Sequence, residues 1–245
     1  MTGGVKDGAV VRGGSVPWVF VTVAAFVLTL LGLIMLFSAA QSVFREAYVM
    51  LAKQAVWMLV AVFGFVIAAR IPLDLLRRYA WLLYGASILG LLLILVPGIG
   101  IKVNGAQRWL GFGRVRLQVS EFAKVGLVLA IAHHLALNQR ETKTFLKGFA
   151  APCCLIAGIC GLVILQPDFG TTFLLGSVGA LMLYLAGANL RFLIPAAFFA
   201  TSAFSMLVYL DPVRLRRVTA FLDVQANMND GAYQLWQGIL AFGAG

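Results

Sequence analysis

Five short stretches gather side chains in this sequence that can bind charge or move protons. The first reads Gly100-Ile101-Lys102-Val103-Asn104-Gly105-Ala106-Gln107-Arg108-Trp109 and runs on through Arg114 and Arg116 to Gln118. An arginine fork fits two phosphate oxygens at once, so Arg108, Arg114 and Arg116 read either as a phosphate clamp or as headgroup contacts of an interfacial loop. Arg114 and Arg116 flank Val115, the alternation of a short extended piece. The second stretch, Gln118-Val119-Ser120-Glu121-Phe122-Ala123-Lys124, puts Ser120 at the N-cap of a helix and Glu121 in its first turn, where it complements the dipole. Glu121 and Lys124 lie three apart and can pair on one helix face. Ionisable residues at the mouth of an apolar segment more often face a cavity or a bundle interior, which favours a functional role.

In the third stretch, Gln166-Pro167-Asp168-Phe169-Gly170-Thr171-Thr172, Pro167 ends one helix and Asp168 caps the next. Asp168 can also pair with an arginine of the first stretch, and the two roles are compatible. The fourth is Asp211-Pro212-Val213-Arg214-Leu215-Arg216-Arg217, and the fifth Asp230-Gly231-Ala232-Tyr233-Gln234-Leu235-Trp236-Gln237. Tyr233, Gln234 and Gln237 can bond a sugar or an amide, or satisfy one another. His133 and His134 read as solvated side chains beside a helix C-terminus in preference to a proton relay.

The elements that must carry these residues are membrane helices. Apolar residues make up 62% of the chain and charged residues 11%, and mean hydropathy is +0.96. Soluble domains are nearer half apolar and a quarter charged. Crossing about 30 Å of hydrocarbon takes roughly 20 mostly apolar residues. Seven segments meet that need: 17–40, 54–69, 79–96, 122–137, 148–165, 172–186 and 192–209. Lipid leaves no partner for an open strand, so these runs are helices, and the fold class is an all-α polytopic transmembrane bundle. Residues 1–16 are Gly-rich and polar, a disordered cytoplasmic tail in this reading, and residues 17–245 form one membrane domain. Cys153, Cys154 and Cys160 all fall in the fifth segment, where they read as small hydrophobes and not as a disulfide or metal set.

The net charge is +10. With the N-terminus cytoplasmic, the inner loops carry Arg70, Arg77, Arg78, Arg140, Lys143, Lys147 and Arg191. The outer side then carries Arg45, Lys53, Lys102, Arg108, Arg114, Arg116, Lys124, Arg214, Arg216 and Arg217. That is no positive-inside bias. Clustered cations on an outer face fit an anionic ligand such as a lipid phosphate, or general headgroup contact.

Asn104 to Trp109, Gln118 to Lys124, Gln166 to Thr171 and Tyr233-Gln234 occur in an order that resembles the SEDS family (shape, elongation, division and sporulation; FtsW/RodA/SpoVE). The match runs from about Pro17 to Gly245 and covers the first seven of the family's ten helices, on its FtsW-like side. Val119 stands where the family usually has proline, Ala232 where it often has glycine, and Gly238 where it often has serine.

The resemblance implies a peptidoglycan glycosyltransferase in the bacterial cytoplasmic membrane, polymerising lipid II on the outer face during division or elongation. An acceptor hydroxyl attacks the donor's anomeric carbon and undecaprenyl pyrophosphate leaves, which requires a base and cations. Arg108, Arg114, Arg116, Glu121, Lys124, Gln166, Asp168, Thr171, Arg217, Tyr233 and Gln234 are the expected substrate-binding residues. The family's catalytic aspartate lies further along the external loop, so the chain reads as a truncated piece, inactive alone, and Asp168, Asp223 and Asp230 are not put in its place. No cofactor is legible, and a divalent cation (Mg or Mn) is left open. The implied partners are lipid II, undecaprenyl pyrophosphate, the membrane and a class B penicillin-binding protein, a transpeptidase, with no nucleic acid. The rival readings are a lipid II flippase and a non-catalytic scaffold of the division machinery.

Overall fold

The computed structural model describes residues 16–40, 44–103, 106–112, 115–229 and 232–244. The chain divides into two units, Met1–Pro72 and Leu73–Gly245. The first holds two helices, α1 (Val16–Ala40) and α2 (Phe44–Arg70). They pack on each other with Phe37 edge-on to Tyr48, ring centroids 6.2 Å apart. Apolar side chains cover these helices all round, and almost none is buried within the chain. A helix apolar on every face is stable where lipid, not water, surrounds it. Of the expected cytoplasmic tail, only Val16 is described, and it opens α1.

The second unit begins with α3 (Leu73–Leu95) and a three-stranded antiparallel meander: β1 (Gly100–Val103), β2 (Ala106–Phe112) and β3 (Val115–Gln118). Then come α4 (Val119–Leu137), a 3-10 turn (Gln139–Glu141) and a π-helical turn (Phe145–Ala150) that leads into α5 (Ala151–Leu165). After α6 (Phe169–Leu185) and α7 (Leu190–Leu210), two shorter helices follow, α8 (Pro212–Leu222) and α9 (Tyr233–Ala244). The core is built around α4. Its residues Val119, Ala123, Leu127, Ala130, Ile131 and Leu135 recur at helical spacing and are buried against Leu91, Ile94, Ile159, Val163, Leu175 and Leu183. Gly126 lets α3 and α4 approach closely, since a Cβ there would stand 2.5 Å from Ser87 Oγ and 3.1 Å from the Leu83 carbonyl.

All seven expected segments are helical, so the chain is a multi-pass membrane protein. Among the described residues, six helices are long and apolar enough to cross a bilayer. The seventh, α6, has 17 residues, about 26 Å at 1.5 Å per residue. Two starts were placed too late by more than a helical turn: α2 begins at Phe44 and not at 54, and α3 at Leu73 and not at 79. Arg45, Glu46 and Lys53, and likewise Asp74, Arg77 and Arg78, broke the apolar runs in sequence, yet charged side chains at a helix end can reach the interface while the backbone stays helical. The meander goes beyond the single extended piece expected around Val115.

Candidate functional site

The meander's irregularity creates the site's centre. Ile101 pairs with Trp109 and Lys102 with Gln107, so Arg108 is an extra residue on β2 with no opposite number. A bulge of this kind re-aims a side chain. The two neighbours diverge. Gln107 Nε2 donates to the carbonyl of Ile94 at 2.8 Å, tying β2 to the end of α3. Gly100 makes room for this, because a Cβ there would lie 2.4 Å from the Ile94 carbonyl and 2.6 Å from Gln107 Nε2. Arg108 turns toward the α5–α6 connection. Its Nε donates to the Gln166 carbonyl at 3.2 Å, one Nη donates to the Pro167 carbonyl, and the other stands 3.7 Å from Asp168.

The α5–α6 connection is held from both sides. Gln166, 1% exposed, closes α5 and donates Nε2 to the Leu91 carbonyl on α3 at 3.0 Å. Pro167 follows at φ 28°, far from the about −65° its ring favours. Asp168 is the N-cap of α6 and accepts from the Thr171 amide at 3.2 Å and the Thr171 hydroxyl at 2.9 Å. Gln118 Nε2, at the end of β3, reaches the same carboxylate at 3.5 Å. Thr172 Oγ1 donates to the Asp168 carbonyl at 2.8 Å. Asp168 is 6% exposed, and a carboxylate so buried needs this set of donors. Both roles expected of it, cap and arginine partner, are realised together.

A second arginine arrives from α8. Arg214 pairs with Asp211 at 2.9 Å, reaches the Pro167 carbonyl at 3.5 Å and lies over the Phe169 ring, 3.2 Å from its centroid. Thus β2, β3, the α5–α6 connection and α8 meet at one end of the unit. Gln107, Gln118, Phe169 and Arg214 in this role were not on the expected list. The three-residue spacing of Asp211 and Arg214 was a usable signal for one of them, whereas nothing local announces the stacking on Phe169.

The remaining expected residues are distributed around this knot. Glu121 and Lys124 pair at 2.8 Å in the first turns of α4, with side chains 57% and 31% exposed. Ser120 is not the N-cap: that position falls to Gln118, whose side chain bonds Asp168 instead, and Ser120 lies inside the helix, buried, with its hydroxyl unpartnered. Arg116 on β3 is exposed and forms no ion pair with a described residue. Arg114 lies outside the described residues, as do the side chains of Arg217 on α8 and Gln234 on α9. Tyr233 opens α9 and is exposed. At the far end of α4, His134 Nε2 is 2.8 Å from the Lys147 carbonyl, and His133 sits edge-on to Trp81. The three cysteines are free, and the described residues contain no cluster of three or more metal-binding side chains.

Chemically, the knot is a satisfied buried carboxylate paired with Arg108, beside a Pro167 carbonyl that Arg214 also reaches, with the cations Arg116 on β3 and Arg216 on α8 exposed. Such an end can hold an anion without dismantling itself.

Comparison with known proteins agrees with the helical architecture. A family model described as a cell cycle protein, FtsW/RodA/SpoVE, matches residues 18–245. The probable peptidoglycan glycosyltransferase FtsW of Pseudomonas fluorescens is 32% identical over 219 residues, 88% of this chain and 54% of its own length. That of Halorhodospira halophila is 38% identical over 222 residues, 88% of this chain and 56% of its own. The chain therefore spans about half the length of the curated relatives it matches. Among solved structures, a chain of a peptidoglycan synthase complex aligns with a TM-score of 0.61 and 28% identity over 79% of this chain and 59% of that one. The rod shape determining protein RodA of Thermus thermophilus aligns with a TM-score of 0.57 and 29% identity over 72% of this chain and 58% of its own. Matched over nearly its whole length, this chain belongs to the FtsW/RodA/SpoVE family of cell cycle proteins.

Proposed function

We propose that this chain contributes the pyrophosphate-handling part of a peptidoglycan glycosyltransferase, which polymerises lipid II at the outer face of the bacterial cytoplasmic membrane. The observation that carries the reading is the division of labour among cations at the sheet end. Arg108 and Arg214 are engaged by carbonyls and carboxylates, and Arg116 and Arg216 are exposed without an ion partner among the described residues. The engaged pair fixes the scaffold, and the open pair receives the diphosphate of donor or leaving group. Preorganised cations of this kind lower the barrier where negative charge develops. The acceptor hydroxyl oxygen bonds the anomeric carbon as the carbon–oxygen bond to the diphosphate breaks, the hydroxyl proton passes to a general base, and undecaprenyl pyrophosphate departs toward Arg116 and Arg216.

The described carboxylates at this end are already engaged. Asp168 caps α6, Asp211 and Glu121 are in ion pairs, and Asp223 accepts from the Ala226 amide at 3.1 Å. None is assigned the base's role. Nor do these engaged carboxylates leave a free ligand set for a divalent ion among the described residues. A class B penicillin-binding protein is the proposed partner, in keeping with the similarity to a chain of a peptidoglycan synthase complex.

The test reconstitutes the longest reading frame containing these residues into liposomes with lipid II. Glycan polymer on a gel supports the glycosyltransferase. Translocation of lipid II without polymer replaces it with a flippase, and neither activity, with partner binding intact, replaces it with a scaffold. Converting Arg116 and Arg216 together to Gln should cut polymerisation by about 100-fold while leaving unfolding unchanged.

A further inference from the structure

The end of the second unit opposite the sheet carries an open cavity of about 400 Å³, lined by Ala132, Leu135, Ala136, Gln139, Thr142 and Ala186. Ala132, Leu135 and Ala136 lie within two turns of α4, and Ala186 caps the end of α6. Single-carbon side chains at Ala132, Ala136 and Ala186 leave room along that wall, and leucines at both α4 alanines would crowd it. The wall is hydrocarbon. Its polar members, Gln139 and Thr142, open and close the 3-10 turn that follows α4. The cavity is thus apolar along the helix and polar at its end, the profile of one lipid tail and its head.

The charge pattern supplies a second argument. Arg140 lies in that 3-10 turn and Lys143 just past it, and both are exposed and form no ion pair with a described residue. Their neighbour Lys147 is instead committed to Glu141 at 2.9 Å. Some of the carbonyls at these helix ends are already engaged. Asn138 donates both its amide and its Nδ2 to the His134 carbonyl, at 3.1 and 2.8 Å. Past α6, the Gly187 and Ala188 amides bond the Tyr184 and Leu183 carbonyls, each at 3.0 Å. Two free cations beside an apolar cavity at a membrane surface match a negatively charged amphiphile.

We propose that this cavity seats an anionic phospholipid, with an acyl chain against Ala132, Ala136 and Ala186 and its phosphate on Arg140 and Lys143. The protein, expressed as the longest reading frame containing these residues, is equilibrated with vesicles of equal phosphatidylglycerol and phosphatidylcholine. Retained lipid is then counted by native mass spectrometry. Phosphatidylglycerol should be retained over phosphatidylcholine by roughly tenfold. The paired change Arg140→Gln and Lys143→Gln should bring the ratio near one while lipid is still retained. Ala132→Leu with Ala136→Leu should abolish the retained lipid. Should the filled variant fail to fold, the charge variant decides, because its side chains are at the surface. Equal retention by the parent, or an unchanged ratio in the charge variant, overturns the proposal. Phosphatidylglycerol with a photoreactive acyl chain should label the peptide 132–142. Labelling confined to other helices would mean that another protein segment covers the cavity, and it overturns the proposal as well.

Discussion

Two ion pairs at the sheet end were foreseeable from sequence, and they are built very differently. Glu121 and Lys124 are three residues apart on one exposed helix face. Arg108 and Asp168 are drawn from different elements, brought together by a bulge in β2 and the turn between α5 and α6. The exposed pair has a shorter separation, 2.8 Å against 3.7 Å, yet the longer one is embedded in backbone carbonyls, a helix cap and two glutamines. Distance alone therefore ranks them wrongly. What a charge pair contributes is set by how many other groups depend on its staying in place.

That contrast sets an order of effects, measurable by thermal or denaturant unfolding in a fixed detergent. Asp168→Ala should cost the most, about 3–5 kcal/mol, because it strips the cap from α6 and leaves Arg108 beside carbonyls without its counter-charge. A loss below about 1 kcal/mol would show that the knot is an ornament of the turn and not its brace. Gly100→Ala should follow at about 1–3 kcal/mol, since the new methyl meets the Ile94 carbonyl and backbone must move. Gln166→Leu should cost about 0.5–1.5 kcal/mol by removing the side-chain bond that ties the end of α5 to the Leu91 carbonyl of α3. Glu121→Gln should cost least, about 0.2–1 kcal/mol, and 1 M salt should reduce even that. If Glu121→Gln nonetheless abolishes polymerisation by the longest reading frame, the exposed pair acts on substrate and the buried one on shape.

Much of this was legible in the chain itself because membrane helices write their length in hydropathy. All seven segments were helical, and their ends erred where charged residues sit on a helix that continues past the apolar run, as at Arg45 and Asp74. The Glu121–Lys124 pair and the Asp168 cap were readable since both rest on spacings of three. The Asp168 partnership with an arginine was readable from shared topology, though not which arginine, because the bulge that selects Arg108 is a property of strand register. The misplacement of the α4 cap at Ser120 has the same origin. Strand β3 runs straight into the helix, so the capping position moved to Gln118, whose side chain serves Asp168. Gln107 and Phe169 were invisible for a related reason: their partners are Ile94 and Arg214, which only the assembled fold brings near.

The shortness of α6 has a consequence for the membrane itself. Its 17 residues span about 26 Å, against about 30 Å of hydrocarbon in an average bilayer. The cap of Asp168 stands at one end of that helix, so the leaflet beside it must dimple inward or the polar cluster must sink below the general level of the headgroups. Either adjustment shortens the climb for a charged lipid headgroup entering from the side. A thick membrane resists such a dimple and a thin one accommodates it, so under the proposed function lipid chain length should tune access to the sheet end.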